Sequence, residues 1–503
     1  MNGKSMSLQY FFANAAKKWP NVFALHELAS GQKLTFQQLA IALRGFASFL
    51  EAHSLARGAR IGILADASIP YLIADYGSMA YGYVRVPFDP SLSVEELRNQ
   101  IADAEIAILL HDHAHADMAY QAGGNICLSL PALWQNEQSH ITCSSDGRLA
   151  PSLASLNYTG GTTGQPKAVM HTQASLAAII NNIGLARPTS AGDVLLNVRP
   201  LWPIASVSVL AHLCHGGTVI LGDRFNPASF LSLLHSTNAA YSSLVPTQIT
   251  RLLQHIQTHG NIPDHPIHLP FFRSLDVGAA SLAPEILEKA MQLLGPRLSI
   301  LYGMTEAPWS FYLPAPKLAI LHKRGSSAGA VGFPLQNVQA RLISSTRPDN
   351  VGEVEISGPH LMAGYWKQPD KTASVLRYGW LATGDLGILD KTHFLKIVGR
   401  RKDIIRSGGM SVQPKEVAEC LLSHPDVADT HVFGISDPEW GERVCAAVVP
   451  SASIKIETEE LILYCKKHLS RHKVPKQIIF LQQLPRSHYG KIQQAKLLKL
   501  LKN

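Results

Sequence analysis

Short apolar runs alternate with amphipathic segments along most of the chain. RIGILAD (60–66) and AEIAILLHD (104–112) have the length of buried strands, whereas ASLAAIINNIGLA (174–186) and PEILEKAMQLLG (284–295) repeat apolar residues at helical spacing. Alternation of strands and helices on this scale predicts an α/β fold with layered, mostly parallel sheets.

This pattern changes after about Gly358, where charge density rises and strands and helices mix over short spans. We therefore expect a boundary near Gly399–Lys402, with a large N-terminal domain (1–399) and a small, mobile α+β lid domain (400–503). Residues 391–503 contain 19 Lys/Arg and 11 Asp/Glu, so they carry the whole net charge of +8. Such a balance indicates a solvated surface or a module that meets an anionic ligand. No Arg-rich run indicates nucleic acid as a partner.

One charge-free segment (200–222) is long enough to cross a bilayer. Its two prolines, two histidines and Gly216–Gly217 favour instead a buried helix from about Ala205 to His215, a glycine turn and a short strand. The six cysteines form no CxxC pair, which is typical of reduced thiols. Because the N-terminus also lacks the pattern of a signal peptide, we expect a cytoplasmic protein without a membrane span.

The stretch YTGGTTGQPKAVMHT (158–172) has the composition of a phosphate-binding loop. It does not follow the Walker A rule, because Pro166 precedes Lys167 and Ala168 follows it. Glycines nevertheless let backbone N–H groups turn toward an anion, and the threonine hydroxyls and the lysine add donors and charge. The candidate phosphate ligands are Thr159, Gly160, Gly161, Thr162, Thr163, Gly164 and Lys167.

Together with four later stretches, this loop resembles the adenylate-forming superfamily of acyl-CoA synthetases, peptide-synthetase adenylation domains and luciferases. The stretches are LYGMTEA (301–307), WLATGDLG (380–387), GRRKDIIRSGGMSVQPKEV (399–417) and LPRSHYGKI (484–492). The resemblance covers nearly the whole chain and is closest to aryl (benzoate-type) CoA ligases. It implies that a carboxylate attacks the α-phosphorus of ATP, that pyrophosphate leaves, and that the acyl group then passes to a thiol.

The chemistry explains the residue types that the resemblance assigns. Charge spreads over the phosphates during transfer, so the site needs cations and oriented donors. The resemblance implies that Glu306 binds Mg²⁺, that Thr305 meets the α-phosphate, and that Lys491 contacts both the α-phosphate and the attacking carboxylate. The residues expected to bind the nucleoside are Gly278, Ala279 and Ala280 against adenine, Tyr302 stacked on the base and followed by Gly303, and Asp385 and Arg400 at the ribose or phosphate.

The resemblance also assigns the second half-reaction to the C-terminal region. Lys402 takes the hinge position, and Gly408 and Gly409 border the tunnel for the thiol, where only glycine lets a pantetheine arm press against the backbone. Trp440 matches a position that stacks the adenine of coenzyme A in some aryl-CoA ligases. Lys476 is then a candidate for its phosphates.

Three stretches (200–206, 241–246 and 303–312) are expected to line the acid pocket through Trp202, Leu244 and Trp309. They contain no Lys or Arg, which argues against a dicarboxylate or an amino acid, because a second buried charge would need a partner. An aryl or medium-chain apolar monocarboxylate fits. Pro203 stands where many relatives have His, which puts the positioning of the carboxylate in doubt.

The leading interpretation is an ATP-dependent acid–CoA ligase that uses ATP, Mg²⁺ and coenzyme A. One alternative is an adenylating enzyme that loads a phosphopantetheinyl carrier protein. An alternative of another class is a catalytically weak acyl- or nucleotide-binding protein, motivated by Pro203. Whether the chain forms a homodimer is left open.

Overall fold

The computed structural model describes residues 7–130, 153–159, 167–260, 262–344, 350–408, 410–451, 456–486 and 492–500. These residues form a mixed α/β architecture with a large N-terminal domain and a smaller C-terminal one, as the sequence predicted.

The strands fall into three sheets. In the first half of the chain they are β1 (Phe23–Glu27), β2 (Lys33–Thr35), β3 (Arg60–Leu64), β4 (Val84–Pro87), β5 (Ile106–His111), β6 (Cys127–Ser129), β7 (Leu153–Thr159), β8 (Lys167–Thr172), β9 (Val194–Asn197), β10 (Thr218–Leu221) and β11 (Ala239–Leu244). In the second half they are β12 (Ser274–Val277), β13 (Leu298–Met304), β14 (Ala307–Leu313), β15 (Ala330–Pro334), β16 (Gln339–Ser344), β17 (Gly352–Ser357), β18 (Gly364–Tyr365), β19 (Leu376–Arg377), β20 (Trp380–Leu389), β21 (Leu395–Arg400), β22 (Ile405–Ser407), β23 (Met410–Val412), β24 (Val427–Asp437), β25 (Gly441–Pro450) and β26 (Gln477–Phe480).

Helices connect and cover these strands. The α-helices are Leu8–Lys18, Phe36–Ala52, Ile69–Ala80, Val94–Ala104, Ala116–Gly123, Gln173–Ala186, Ser206–Cys214, Phe230–Ser236, Pro246–His259, Pro284–Leu294, Ala315–Lys323, Pro369–Val375, Pro414–Leu422, Thr458–His468 and Gln494–Leu500. Short 3₁₀ turns cover His113–His115, Gly124–Ile126, Arg401–Asp403 and Arg471–Lys473.

Two of the sheets have a parallel centre and antiparallel extensions. The larger sheet runs β16-β17-β20-β21-β15-β14-β13-β12-β11-β9-β10-β1-β2, with β19 beside β20, and it is parallel from β13 to β1. The second sheet runs β18-β8-β7-β4-β3-β5-β6 and is parallel from β7 to β6. Among the predicted nucleotide-site residues, Lys167, Asp385 and Arg400 lie on the antiparallel strands β8, β20 and β21, whose direction periodicity alone did not distinguish.

The helix Ile69–Ala80 shows how the two sheets are joined. Ser68 caps it by accepting a hydrogen bond from the backbone N–H of Tyr71, and Pro70 lies in its first turn, where no intrahelical donor is needed. Nearly all of its residues are buried, and it contacts β3, β4 and β7 of one sheet and β1 of the other. A helix whose residues are mostly apolar on every face is expected at such a buried position.

The charge-free segment folds as predicted, into the buried helix Ser206–Cys214, a Gly216–Gly217 turn and β10. Among the described residues, no helix is long and apolar enough to span a membrane.

The smaller C-terminal sheet runs β23-β22-β25-β24, with β26 beside β25. It has its own hydrophobic core, which includes Ile405, Val417, Val444 and Leu461. The location of the boundary at residues 399–400 and the mobility of this lid stay predictions.

Candidate active site

A carboxylate on β20 is held from two sides, by a side chain from β13 and a side chain from β21. The hydroxyl of Tyr302 donates to Oδ2 of Asp385 at 2.7 Å, and Nε of Arg400 donates to Oδ1 at 2.9 Å. Burial, and next the charge of Asp385, raise the pKa of Tyr302 well above its ordinary value, so the phenol stays protonated and donates. Three residues predicted from separate motifs are thus in direct contact.

The small-residue stretch predicted to face adenine follows β12, beside β13. Gly278 is buried, and a Cβ there would lie 3.2 Å from the carbonyl oxygen of Leu301 on β13. Ala279 and Ala280 are exposed, and Ala279 has a φ of +73°. On β13 itself, a Cβ at Gly303 would come within 2.7 Å of the backbone nitrogen of Trp309, so this position requires glycine. Small exposed groups at the carboxyl ends of parallel strands are typical of a ligand site in an open α/β sheet.

Thr305 and Glu306 form the two-residue turn between β13 and β14, where Met304 pairs with Ala307. Nε2 of His171 donates to the carbonyl oxygen of Thr305 at 2.7 Å, since a carbonyl can only accept. Burial lowers the pKa of His171 to about 4, so the imidazole is neutral at pH 7. The sequence did not single out His171, because a lone histidine in a short strand carries no pattern.

Glu306 is held by a second residue that the sequence analysis missed. The hydroxyl of Tyr365 donates to Oε1 of Glu306 at 2.9 Å, and the backbone N–H of Met362 donates to the carbonyl oxygen of Glu306 at 2.8 Å. Nζ of Lys167 lies 4.9 Å from the centre of the Tyr365 ring. The loop lysine and the candidate metal ligand therefore share one tyrosine.

The two ends of the phosphate loop are fixed next to each other. Thr159 and Lys167 are opposite residues of the β7–β8 ladder, and the Thr159 hydroxyl donates to the Lys167 carbonyl oxygen at 3.4 Å. The predicted ligands Gly160, Gly161, Thr162, Thr163 and Gly164 lie outside the described residues, as do Lys491 and Gly409.

The predicted thiol-site residues are neighbours in the C-terminal domain. The backbone N–H of Gly408 donates to the carbonyl oxygen of Trp440 at 2.8 Å, and a Cβ at Gly408 would lie 2.9 Å from the indole. Nζ of Lys476 lies 4.7 Å from the centre of the same ring. The predicted hinge residue Lys402 is exposed in the 3₁₀ turn that follows β21.

The three predicted acid-pocket residues are all buried, but they lie in different surroundings. Leu244 and Trp309 belong to different hydrophobic clusters. Trp202 lines a cavity of about 370 Å³ whose described lining contains neither of them and includes Asp66, Arg199 and Arg224. Of the three predicted residues, Trp202 alone lines this cavity.

Trp309 stands beside a buried ion pair that its own stretch did not reveal. The guanidinium of Arg187 lies 5.6 Å from the Trp309 ring centre and pairs with Asp276 at 3.1 Å. The hydroxyl of Tyr312, whose ring stacks on Trp309, donates to Asp276 at 2.9 Å. The charge of Arg187 is thus matched by Asp276.

Pro203, the residue that replaces a common histidine, is also held by a buried cation. NH1 of Arg85 donates to the Pro203 carbonyl oxygen at 2.9 Å and to Oδ1 of Asn157 at 2.6 Å, and NH2 donates to Oγ of Ser206 at 2.8 Å. Arg85 also forms an ion pair with Asp75. This junction ties the segment after Trp202 to β7, the strand that leads into the phosphate loop.

Comparison with known proteins identifies the family. The model described as AMP-binding enzyme matches residues 12–366, and that of the AMP-binding enzyme C-terminal domain matches residues 416–491. The chain belongs to this family of adenylate-forming enzymes, and the resemblance inferred from the motifs is confirmed. It is an AMP-forming acid–thiol ligase of the acyl-CoA synthetase type, with ATP, CoA and a small carboxylic acid as substrates.

Its relatives include a feruloyl-CoA synthase of an Amycolatopsis species, which is 30% identical over 481 residues, or 92% of this chain and 93% of the relative. ATP-bound MatB from Rhodopseudomonas palustris has a similar structure, with a TM-score of 0.87 and 27% identity over 99% of each chain. The amide bond synthetase McbA from Marinactinospora thermotolerans has a TM-score of 0.84 and 26% identity over 98% of this chain and 99% of that one.

Proposed function

We propose that the enzyme activates an apolar monocarboxylate, an aryl or medium-chain acid, as its acyl adenylate and transfers the acyl group to coenzyme A. In the first step a carboxylate oxygen bonds to the α-phosphorus of ATP, and the bond to the pyrophosphate oxygen breaks. In the second step the CoA sulfur bonds to the acyl carbon, AMP leaves, and the thiol proton is released. The observation that carries the proposal is the contact of Asp385 with both Arg400 and Tyr302, since Tyr302 lies on β13, the strand that leads into the Thr305–Glu306 turn.

The residues around this turn suit a bound nucleotide. Both oxygens of Asp385 already accept one hydrogen bond, and each has a further lone pair for a ribose hydroxyl. The exposed Ala279 and Ala280 offer a flat surface to adenine. Thr159 and Lys167 fix the ends of the loop proposed to hold the β- and γ-phosphates. Lys491 is proposed to bring positive charge to the α-phosphate and the attacking carboxylate.

The donor set fits a magnesium ion. Mg²⁺ in nucleotide sites is usually held by one or two carboxylates together with substrate phosphates. Glu306 supplies one carboxylate, of which only Oε1 accepts from Tyr365, and Thr305 supplies an adjacent hydroxyl. The ion would neutralise charge on the departing pyrophosphate.

The proposed acid selectivity rests on the charges around Trp309. The guanidinium of Arg187 is buried beside the Trp309 ring, and it is paired with Asp276 at 3.1 Å. A second carboxylate on the substrate would therefore find no unpaired positive charge from Arg187. Burial of an unpaired carboxylate is costly. We therefore expect aryl and medium-chain monocarboxylates to be preferred over dicarboxylates and amino acids.

For the acceptor, the Trp440 indole with Lys476 over it offers adenine a stacking surface beside a cation that can meet a phosphate. A phosphopantetheinyl carrier protein presents the same thiol arm without that adenine. The contact between Gly408 and Trp440 favours CoA, because it places the proposed thiol tunnel next to the ring proposed to stack on adenine.

The experiment is a panel of carboxylic acids assayed for AMP, acyl adenylate and thioester, with CoA or with a phosphopantetheinyl carrier protein as the acceptor. The proposal predicts that an aryl or medium-chain monocarboxylate has the highest kcat/KM, and that thioester forms on CoA. A dicarboxylate as the best substrate would contradict the acid assignment, and thioester only on the carrier protein would contradict the acceptor.

A further inference from the structure

Tyr365 touches two groups that the proposed reaction needs and that come from different motifs. Its hydroxyl donates to Oε1 of Glu306 at 2.9 Å, and its ring lies under Nζ of Lys167 at 4.9 Å. A cation over an aromatic face is attracted by the negative charge of the ring face. The hydroxyl leaves the second oxygen of Glu306 available to a ligand.

The backbone around Tyr365 is fixed on both sides. Tyr365 pairs with Val169 in the β18–β8 ladder, only two residues from Lys167. Its N–H donates to Oγ1 of Thr372 at 2.9 Å, which ties it to the helix Pro369–Val375. The side chain is 5% exposed, so neither the ring nor the hydroxyl is free to move away.

The hydrogen bond from Tyr365 also fixes the rotation of the Glu306 carboxylate, because the donor is held in place and only Oε1 accepts from it.

We propose that Tyr365 is a positioning residue that aligns Lys167 and Glu306 with each other, so that the lysine meets the phosphates and the carboxylate meets the metal ion of one magnesium-bound triphosphate. This inference rests on the proposed function of Glu306 as the metal ligand. The two contacts of Tyr365 can be tested separately, because the ring contacts Lys167 and the hydroxyl donates to Glu306.

Two substitutions separate these contacts. Tyr365→Phe keeps the ring under Lys167 and removes the hydroxyl from Glu306, whereas Tyr365→Leu removes both. Tyr378→Phe is the matched control, because Tyr378 is 102% exposed and its hydroxyl lies in solvent. Circular dichroism and thermal unfolding establish that each variant is folded, and Tyr365→Phe alone suffices if Tyr365→Leu fails to fold.

The measurement is ATP affinity by calorimetry, in EDTA and in Mg²⁺, together with Mn²⁺ binding by electron paramagnetic resonance. We expect Tyr365→Phe to bind ATP in EDTA with the same affinity as the parent. The increase in ATP affinity caused by Mg²⁺ should be smaller than in the parent by on the order of tenfold, which is the effect of losing one hydrogen bond to a charged group. KM for MgATP should rise while KM for the acid stays constant. Tyr365→Leu should weaken ATP binding in EDTA as well.

Two outcomes would overturn the inference. If Tyr365→Phe keeps the full Mg²⁺ effect, or weakens ATP binding equally with and without Mg²⁺, Tyr365 does not position the metal ligand. A parent enzyme whose ATP binding does not respond to Mg²⁺ would instead contradict the proposed role of Glu306, so the two failures are distinguishable.

Discussion

Asp385 and Arg400 are opposite residues of the antiparallel pair β20–β21, and Nε of Arg400 donates to Oδ1 of Asp385 at 2.9 Å. Arg400 is the last residue of β21 and the first of the predicted C-terminal domain. The ion pair therefore connects the proposed ribose ligand to the segment in which the predicted hinge residue Lys402 lies. Tyr302 closes the arrangement from the other side at 2.7 Å.

The first prediction concerns this carboxylate. Asp385→Ala should weaken ATP and AMP binding by roughly 10- to 100-fold, because hydrogen bonds to a charged group contribute about 1.5–3 kcal/mol. Isothermal titration calorimetry with each nucleotide measures the effect. Asp390→Ala is the control, since Asp390 only caps the β20–β21 turn through Thr392 and Phe394. If both variants lose nucleotide affinity equally, the loss comes from a disturbed β20–β21 hairpin and not from the missing Asp385 carboxylate.

A second prediction concerns the buried ion pair of Arg85 and Asp75, whose side chains are 1% and 0% exposed. Arg85→Met should lower the free energy of unfolding by about 3–5 kcal/mol, since it leaves a buried carboxylate without its cation. Adding Asp75→Leu should recover part of that loss, because the unpaired charge is then gone. Urea unfolding measures both, and a double variant less stable than Arg85→Met would contradict this explanation.

The pH dependence of Arg85→Met has a definite sign. Burial raises the pKa of Asp75 above its ordinary value, and removal of the cation raises it further. The folded variant then binds a proton that the unfolded chain releases, so its stability relative to the parent should increase as pH falls from 7 to 5. If the parent's advantage in unfolding free energy over Arg85→Met grows as pH falls from 7 to 5, the unpaired charge of Asp75 is not what destabilises the variant.

His171 gives a third prediction, in which a titrating group of the parent makes the parent less stable at low pH. Burial lowers its pKa from 6.5 to about 4. Below pH 6.5 the unfolded imidazole takes up a proton that the folded one does not, so the parent loses stability as pH falls toward 4. His171→Gln keeps a donor for the Thr305 carbonyl but does not titrate. Its stability relative to the parent should improve by roughly 2 kcal/mol between pH 7 and pH 5. An unchanged difference would mean that His171 is charged in the folded protein.

The Trp440 surface gives a fourth prediction. Trp440→Ala should raise KM for CoA on the order of tenfold and leave acyl-adenylate formation unchanged, because it removes the stacking surface under Lys476. Trp440→Phe should recover most of the affinity. Gly408→Ala should resemble Trp440→Ala, since its Cβ would lie 2.9 Å from the indole and the φ of +58° disfavours a side chain. Loss of adenylation in Trp440→Ala would contradict a role confined to the acceptor.

Much of the fold could be predicted because local patterns determine it. The apolar run before Gly216 could only be a buried helix or a membrane span, and its prolines and histidines decided for the helix Ser206–Cys214. The motifs also pointed to residues that meet in the fold, because Tyr302, Asp385 and Arg400 each stand in a separate recognisable stretch and are in contact; their role at a nucleotide stays a prediction.

The sequence could not reveal partners that only the fold brings together. Tyr365 is 59 residues from Glu306 in the chain, and Arg85 is 118 residues from Pro203. Neither stands in a stretch whose composition indicates chemistry. The acid pocket was hardest for the same reason, since the three stretches contain no cation and Arg187 reaches Trp309 from the end of a helix outside them.

The most direct test of the account follows one oxygen atom. The acid is prepared with ¹⁸O in its carboxylate and incubated with the enzyme, MgATP and CoA, and the nucleotide product is analysed by mass spectrometry. Attack of the carboxylate on the α-phosphorus predicts AMP that carries one ¹⁸O from the acid, released with pyrophosphate. ADP as the nucleotide product, or AMP without the label, would contradict the acyl-adenylate mechanism.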